Sequence, residues 1–418
     1  MTHAELSPTE SPQRKWYQAL GPGLITACVV IGPGSILTSS QVGAKNGFDL
    51  TWIVVVSVIF MMAFMQMGAR LGTVLTESPG TLIANRAGRW LAALIGISIF
   101  FIASAFQFGN NLGVDSAFKA YIDFDYIVVV FNGLAIAFLF AFKNLYKAIE
   151  KLMMCFVGLM LVSFAMNLGF AFANMPEVQP AVPEADDAPL LDISLLGLVG
   201  TTFVIAAAYY QAYLVQQKGW TRSELKNGLI DARIGSILMA VITLMIMCTA
   251  AAALRGKTLG GVDDVAKQLA PLFGDLGRPV FCIGLFAAAY SSFLVNSMIG
   301  GFILSDGLGL GTKPSGLAPR LLTTAVLLTG MGVALYVILT GIKPVPAIVA
   351  AQAVTVLAAP LIGGVLMWLT NNRDVMGDDT NGPVINVVGG IGLLLLAAMA
   401  WYTAAYKVWP ELTKLAGS

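Results

Sequence analysis

Two long apolar segments of this sequence are interrupted by residues that could bind a solute. The first contains Ile31–Ser35, which reads IGPGS; its proline removes a backbone donor and the flanking glycines relax the chain. This pattern predicts an unwound stretch with free carbonyl groups, and a simple proline kink is the alternative. The second contains Ala206–Gln211, AAAYYQ, where small residues precede a polar patch without a proline. Half-helix ends at such places aim carbonyls at a cation or amides at an anion.

Other kinds of chemistry lack the residues that they need. The single histidine, His3, lies in the polar N-terminal stretch, and every Asp and Glu is expected at the end of an apolar segment or in a loop. The cysteines lie singly in four apolar segments without CxxC spacing and are expected to be buried packing residues: Cys28, Cys155, Cys248 and Cys282. Intramembrane enzymes use a histidine or lysine base, paired carboxylates or a histidine-held metal. The sequence therefore predicts no enzyme and no resident cofactor.

Transmembrane helices are the elements that must position these residues. With 57% hydrophobic and 11% charged residues, the composition is far from that of a soluble protein. About 20 apolar residues cross roughly 30 Å of hydrocarbon, and such runs recur along nearly the whole chain. We expect an all-α membrane protein with one membrane domain of about eleven spans. The predicted spans are 19–47, 50–69, 90–113, 126–142, 152–173, 195–217, 234–254, 279–304, 321–342, 344–370 and 384–406.

The charge distribution predicts the orientation and the partners of the chain. With eleven spans, fifteen of the 24 basic residues lie on the side of the N-terminus, which the positive-inside rule makes cytoplasmic. We expect a multi-pass cell-membrane protein with a cytoplasmic tail at 1–18, a transmembrane domain at 19–406 and an extracellular tail at 407–418. The acidic segment Met175–Pro189 becomes an external loop, a solvated linker rather than a collector of cations. The bilayer is the expected partner; a net charge of +1 excludes a nucleic-acid binder, and nothing indicates an obligate protein partner.

The two interrupted segments lie in spans one and six, five spans apart. Two halves of five helices insert with opposite topology, so helices 1–5 and 6–10 are predicted to form a LeuT-like inverted repeat, with helix 11 added. Substrates of such transporters lie near the midplane, between discontinuous helices in corresponding positions. The sequence therefore predicts a transporter with broken helices 1 and 6. A channel is disfavoured because no filter-like segment is repeated.

At these residues the sequence resembles the Nramp divalent-metal transporters. Their first span carries Asp-Pro-Gly-Asn, which Gly32–Ser35 matches after a similar lead-in at Gly21–Leu24. The resemblance covers most of the chain. Its more specific part looks like the end of the family's tenth span and the following loop, at Gln352, Leu357, Pro360 and Leu369–Gly377 (LTNNRDVMG).

The metal-binding positions of that family carry different residues here. In the first span the Asp becomes Gly32 and the Asn becomes Ser35. In the sixth span, aligned on Tyr213 and Leu214, the Met becomes Ala208 and the second Asn becomes Gln211. A thioether favours transition metals, whereas Mg²⁺ takes oxygen ligands and gives up water reluctantly. The substitutions thus imply a larger, less charged site for an ion that keeps several waters.

The titratable positions of the family are also replaced. Tyr210 and Val215 stand where the sixth span has histidines, and Gln107 with Asn110 is the best match to an acidic pair linked to proton movement. This pattern is similar to the Nramp-related magnesium transporters. It implies a uniporter of Mg²⁺, and also Mn²⁺, that is driven by the ion gradient and membrane potential without protons. A proton-coupled Nramp-type importer of Mn²⁺ or Fe²⁺, and an amino-acid transporter of the same fold, remain the alternatives.

The resemblance also implies a set of ligands for the transported ion. The side-chain candidates are the Ser35 hydroxyl and the Gln211 amide oxygen, directly or through water. A serine bonded to its own helix and a glutamine that joins two helices are the structural alternatives. Backbone carbonyls are expected from Gly32 and from Ala207 or Ala208, with Tyr210 and Gln352 facing the same cavity.

Overall fold

All regular secondary structure in the described part of the chain is helical. The computed structural model describes residues 21–119, 121–122, 124–173, 193–260, 264–265, 276–341 and 355–409. The α-helices are α1 (Pro22–Val30), α2 (Pro33–Asn46), α3 (Thr51–Val74), α4 (Pro79–Ala87), α5 (Arg89–Lys119), α6 (Ile127–Ala141), α7 (Leu145–Ala173), α8 (Ile193–Thr202), α9 (Ile205–Lys218), α10 (Leu225–Ala253), α11 (Gly277–Leu308), α12 (Leu317–Thr340), α13 (Ala359–Asn371), α14 (Arg373–Met376) and α15 (Pro383–Thr403). Short 3₁₀ turns precede α10 and α13.

The helices follow the predicted spans. Eight stretches of the described chain are long and apolar enough to cross a membrane, and the bent pair α1–α2 is a ninth. Two shorter apolar helices, Ile127–Ala141 and Val356–Asn371, stand at the predicted fourth and tenth spans. The chain therefore alternates between two ends of the bundle, called here the Gly21 end and the Asn46 end. Several predicted features lie outside the described residues: His3, both tails for the most part, the 175–189 loop, Gln352 and the first half of the predicted tenth span.

The first span is broken where the sequence predicts it. Helix α1 stops at Val30, Gly32 is extended (φ −124°, ψ 179°), and α2 restarts with Pro33 in its first turn. The two halves meet at a bend of 58°. A proline fits the first turn of a helix because its missing N–H would have no intrahelical partner there. The same missing N–H ends α1, and two residues, Ile31 and Gly32, separate the two half-helices.

The sixth span is also broken, but not within the Ala206–Gln211 segment that drew attention in the sequence. The break falls earlier, at Phe203 and Val204, between α8 and α9. No proline marks it. The Phe203 ring packs against Phe60 and Phe64 of α3, with centroids 5.9 and 5.5 Å apart. The β-branched residues on both sides, Thr201, Thr202, Val204 and Ile205, favour a helix only weakly. The packing of the Phe203 ring on α3 then fixes the position of the break.

Glycines allow α1 to lie directly against α10. A Cβ on Gly23 would stand 2.3 Å from the Asp231 carbonyl oxygen, and a Cβ on Gly235 would stand 2.4 Å from the Gly23 carbonyl oxygen. Small residues permit close backbone approach between membrane helices. The crossing brings the first turn of α1 within hydrogen-bonding distance of the Asp231 side chain.

Two expectations from the sequence need correction. Asp306 lies in the last turn of α11, at a span end as expected, whereas Asp231 is the seventh residue of α10, because that helix begins nine residues before the predicted span. Both side chains are fully buried, which the sequence did not predict. Cys28 and Cys282 are buried as expected, but Cys155 is exposed on α7 and Cys248 is only half-buried.

The α1–α10 crossing predicts that Gly235→Ala destabilises the protein. The added methyl group would overlap the Gly23 backbone, which cannot move without displacing α1, and overpacking of this kind costs about 1–3 kcal/mol. Thermal unfolding in detergent, followed by loss of the monodisperse elution peak, measures the change. Gly158→Ala on α7 is the control, because a Cβ there meets nothing within 4 Å. Equal melting temperatures for both variants would contradict the crossing.

Candidate functional site

The two broken spans run antiparallel and are joined on both sides of their breaks. Toward the Gly21 end, Thr26 of α1 donates to the Gln211 side-chain oxygen of α9 at 2.5 Å. Toward the Asn46 end, the hydroxyls of Thr38 on α2 and Thr201 on α8 are 3.3 Å apart. Helices rise about 1.5 Å per residue, so these contacts place the two breaks within about one turn of the same depth.

Backbone carbonyl groups without helical partners lie at the depth of the two breaks, because α1 and α8 end there. The Ile31 carbonyl, and those of Gly200 to Phe203, accept no hydrogen bond from the backbone of the described chain. Pro33 cannot donate to the Val29 carbonyl, and the Ser292 hydroxyl of α11 does so instead at 3.1 Å. The negative ends of α1 and α8 thus point into one buried region, an arrangement that favours a cation.

Two neutral side chains face the first break beside Gly32. A Cβ on Gly32 would stand 3.1 Å from the Asn110 carboxamide oxygen of α5 and 3.1 Å from the Ser292 hydroxyl oxygen. Helix α5 is held there by Gly113, where a Cβ would be 2.1 Å from the Pro33 ring. The Ser35 hydroxyl, on the first turn of α2, is buried and has no hydrogen-bond partner within the described part of the chain. Oxygen atoms therefore surround the unwound residues.

The other predicted backbone ligands lie away from the breaks or already have partners. The Gly32 carbonyl accepts from the Ile36 amide at 3.0 Å. Ala207 and Ala208 belong to α9, and the Ala208 carbonyl lies against α3, since a Cβ on Gly68 would be 2.2 Å from it. The carbonyls exposed by the sixth-span break come from the end of α8 instead.

The remaining side-chain candidates of α9 are buried in a polar network. Gln211 is fully buried; its oxygen accepts from Thr26 and its nitrogen donates to Asp231 at 3.3 Å. Tyr210, also buried, stacks on Tyr213 with ring centroids 5.9 Å apart. Both polar atoms of Gln211 are therefore used within the protein, and the oxygen has one further lone pair for an ion.

Asp231 anchors the start of α1. Its two carboxylate oxygens accept from the Gly21 and Gly23 amides at 2.8 and 2.6 Å. The first amides of a helix have no intrahelical partner, and a carboxylate there also interacts well with the helix dipole. Next to it, Lys218 at the end of α9 forms a largely buried ion pair with Glu150 of α7 at 2.9 Å. These contacts close the bundle around α1 at the Gly21 end.

A second buried carboxylate anchors α9. Asp306 accepts from the Tyr213 hydroxyl at 2.7 Å and from the Gly80 amide at 2.8 Å. Ser78 and Thr81 donate to its other oxygen at 2.7 and 3.1 Å. One carboxylate thus joins α9, α11 and the first turn of α4, and every acceptor position on it serves the structure.

A cavity of about 20 Å³ adjoins the second break, lined by Phe203 to Ala206 and by apolar side chains of α5, α13 and α15. This volume holds about one water molecule. Thr355 is its one polar side chain among the described residues. Elsewhere in the described chain, no group of three or more His, Cys, Asp and Glu side chains could hold a metal ion. The oxygens that the described residues place at the first break, from Ile31, Ser35, Asn110 and Ser292, are neutral.

The sequence did not identify Ser292, Asp231 or Asp306 as residues of the site. It identified Asn110 only as one of two amides that match an acidic pair of the Nramp family. No local signal marks Ser292. For Asp231, the spacing of four residues to Gly235 indicates one face of a closely packed helix, so that pair could have been found.

Comparison with known proteins gives a consistent result. Residues 23–405 match the family "Natural resistance-associated macrophage protein-like", Nramp. The divalent metal cation transporter MntH of Verminephrobacter eiseniae is 26% identical over 397 residues, covering 90% of this chain and 87% of the relative. That of Deinococcus radiodurans is 24% identical over 416 residues, covering 96% and 92%.

A solved structure shares the fold. The Eremococcus coleocola manganese transporter, in complex with an aromatic bis-isothiourea substituted compound, superposes with a TM-score of 0.78 and 17% identity. The match covers 96% of this chain and 89% of that one. This likeness confirms the fold class predicted from the sequence.

The Asp231 network predicts that Asp231→Asn loosens α1. An asparagine amide has one acceptor oxygen where the carboxylate has two, so one of the Gly21 and Gly23 amides would face a donor. Cys28, in the middle of α1 and wholly buried, reports the opening. In a background with Cys155, Cys248 and Cys282 changed to alanine, maleimide should label Cys28 several-fold faster in the variant.

Asp374→Asn is the matched control for this labelling experiment. Asp374 pairs with Arg86 on the surface of the same end, and its side chain is 79% exposed. Its removal should leave the Cys28 labelling rate unchanged. Equal rates for Asp231→Asn and the parent, with both proteins folded by size-exclusion chromatography, would show that the Asp231 contacts do not hold α1 closed.

Proposed function

This chain belongs to the Nramp family, and from that premise we propose that it is a secondary transporter of divalent cations that carries mainly Mg²⁺ and also Mn²⁺ without coupling to protons. Relatives that align over nearly the whole chain are named divalent metal cation transporters. The ion is substrate rather than a resident cofactor. The bundle is a multi-pass membrane domain, and we place it in the cell membrane.

The observation that carries the Mg²⁺ proposal is the chemistry around Gly32. The side chains that contact this residue, Asn110 and Ser292, offer neutral oxygens, and Ser35 adds a buried hydroxyl without a partner. Hard oxygen ligands suit Mg²⁺, which keeps several of its waters, whereas a soft sulfur ligand would favour transition metals. Ala208, where the family has its methionine, lies in α9 and supplies no sulfur. Such a site admits Mn²⁺ but does not prefer it.

The proposed orientation places the Gly21 end in the cytoplasm. Basic residues of the described chain concentrate there, as the positive-inside rule requires. They are Arg70, Arg86, Arg89, Lys143, Lys147, Lys151, Lys218, Arg222, Lys226, Arg233, Lys313, Arg320 and Arg373. The network around Asp231 is then the closed cytoplasmic side of the transporter, and the region of Ser35 faces the outer half.

Mg²⁺ uptake is the direct test of the substrate. Proteoliposomes that contain the protein and a Mg²⁺ indicator should show uptake above empty liposomes, and Mn²⁺ should compete. Ser35→Ala should raise the half-saturation concentration for Mg²⁺ several-fold, because the hydroxyl has no hydrogen-bond partner among the described residues. Cys155→Ala, on the exposed face of α7, should behave like the parent. Uptake of transition metals without any uptake of Mg²⁺ would overturn the proposal.

The absence of proton coupling is proposed from where the titratable groups lie. Asp231 and Asp306 are buried, so an argument from a lack of intramembrane acids does not hold. Each carboxylate, however, accepts at least three hydrogen bonds that hold α1 or α9 in place, and neither lies at the first break. At the first break, Gln107 and Asn110 are amides, which do not titrate. The ion gradient and membrane potential remain as the driving forces.

This predicts Mg²⁺ entry without acidification. For a divalent ion the potential contributes roughly 4.6 kcal/mol per 100 mV, or about a thousandfold accumulation, so no proton is needed. A pH-sensitive dye inside the proteoliposomes should report no change that follows an inward Mg²⁺ gradient. Acidification that tracks uptake and disappears without Mg²⁺ would make the protein a proton-coupled transporter and would identify Asp231 as the first residue to test.

A further inference from the structure

We propose that Asn110 and Ser292 bind the transported cation, directly or through one water, in the place left by the missing carboxylate at Gly32. This inference rests on the proposed transport of divalent cations, and it names two residues from α5 and α11 that the interrupted spans do not contain. The ion is then held by four spans rather than by the two broken spans alone.

The positions of the two side chains are the first support. Both oxygens lie 3.1 Å from the position that a Cβ atom of residue 32 would occupy. They therefore lie on the side of the backbone from which a side chain at this residue would extend. Both residues are almost wholly buried, with 2% and 1% of their surfaces exposed. A side chain on residue 32 would crowd these oxygens, whereas glycine leaves the space open. The Asn110 and Ser292 oxygens therefore border the space that glycine frees.

The orientation of the two groups is the second support. Asn110 uses its carboxamide nitrogen to donate to Gln107 at 3.3 Å, which leaves its oxygen toward Gly32. Ser292 uses its hydroxyl hydrogen on the Val29 carbonyl at 3.1 Å, so the lone pairs of its oxygen are free. Both groups thus present acceptors to one point. Acceptors without donors suit a cation, or a water molecule on a cation, and not a carboxylate.

The surrounding structure fixes these orientations. Pro33 holds Gly113 of α5 in contact, and the proline is also the reason that the Val29 carbonyl needs the Ser292 hydroxyl. The nearby Ile31 carbonyl accepts no backbone hydrogen bond in the described chain and lies at the negative end of α1. The proline that breaks the helix thus also orients a ligand on a neighbouring helix.

The test compares Asn110→Leu, Ser292→Ala and Asn110→Asp with matched controls in the proteoliposome uptake assay. Asn167→Leu on α7 is a buried asparagine bonded to its own helix, and Ser297→Ala on α11 is a buried serine bonded to its own helix. Asn110→Leu and Ser292→Ala should each raise the half-saturation concentration for Mg²⁺ about tenfold, as expected for a lost contact with a charged group. The two controls should stay within about twofold of the parent, the range of a neutral packing change.

Asn110→Asp distinguishes ion binding from a packing role of Asn110, because only ion binding makes the half-saturation concentration depend on the new charge. A carboxylate at this point should lower the half-saturation concentration for Mg²⁺ and make it depend on pH, because protonation removes the added charge. If Asn110→Leu does not fold, Asn110→Asp decides the test in its place. Parent-like half-saturation in Asn110→Asp and Ser292→Ala, with no new pH dependence, would overturn the inference.

Failure of the proposed function gives a different result. In that case the parent protein itself would transport no Mg²⁺. The same variants are then compared by Mn²⁺ uptake, where a lower, pH-dependent half-saturation concentration in Asn110→Asp and a higher one in Ser292→Ala, with parent-like values in the controls, still support the two ligands. Unchanged Mn²⁺ uptake in both would reject them.

Discussion

Every backbone polar group inside a membrane must find a partner, and the two broken spans put several of them in the middle of the bundle. Unsatisfied backbone groups are tolerated there only where protein surrounds them or a polar cavity receives them. Helices α1 and α2 are buried along nearly their whole length, as are the residues on both sides of the second break. The other helices are therefore arranged to enclose two interruptions at one depth. The Ile31 and α8 carbonyls become the natural place for a cation.

The same constraint explains the polar network at the Gly21 end. A half-helix as short as α1 has its first amides close to the hydrocarbon, and Asp231 supplies both of their acceptors. Gln211 connects this carboxylate to α9 and to Thr26, while Tyr213 connects α9 to Asp306. Movement of α1 away from α9 must break the Thr26 bond and displace Asp231 together. The two anchored half-helices are thus the elements whose displacement would open a path from the breaks to the Gly21 end.

The sequence could predict the spans and the first break because hydropathy and proline act locally. The second break depends on how Phe203 packs against α3, and no residue near it carries a local signal, so the sequence directed attention to the polar residues of α9 instead. Asp231 was placed outside its helix for a related reason: a hydropathy window ends at a charged residue, whereas a helix continues when a partner satisfies that charge. Ser292 could not have been found, because its role follows from a carbonyl that Pro33 leaves open on another helix.

If a divalent cation binds among neutral oxygens at the Gly32 break, anomalous scattering from crystals grown with Mn²⁺ is the most direct measurement, because Mn²⁺ is proposed to occupy the same site and scatters strongly at its absorption edge. We expect one anomalous peak bordered by Gly32, Asn110 and Ser292, at coordination distance or one water away from their oxygens. A peak on the Asp231 or Asp306 carboxylates, with none at the break, would contradict it.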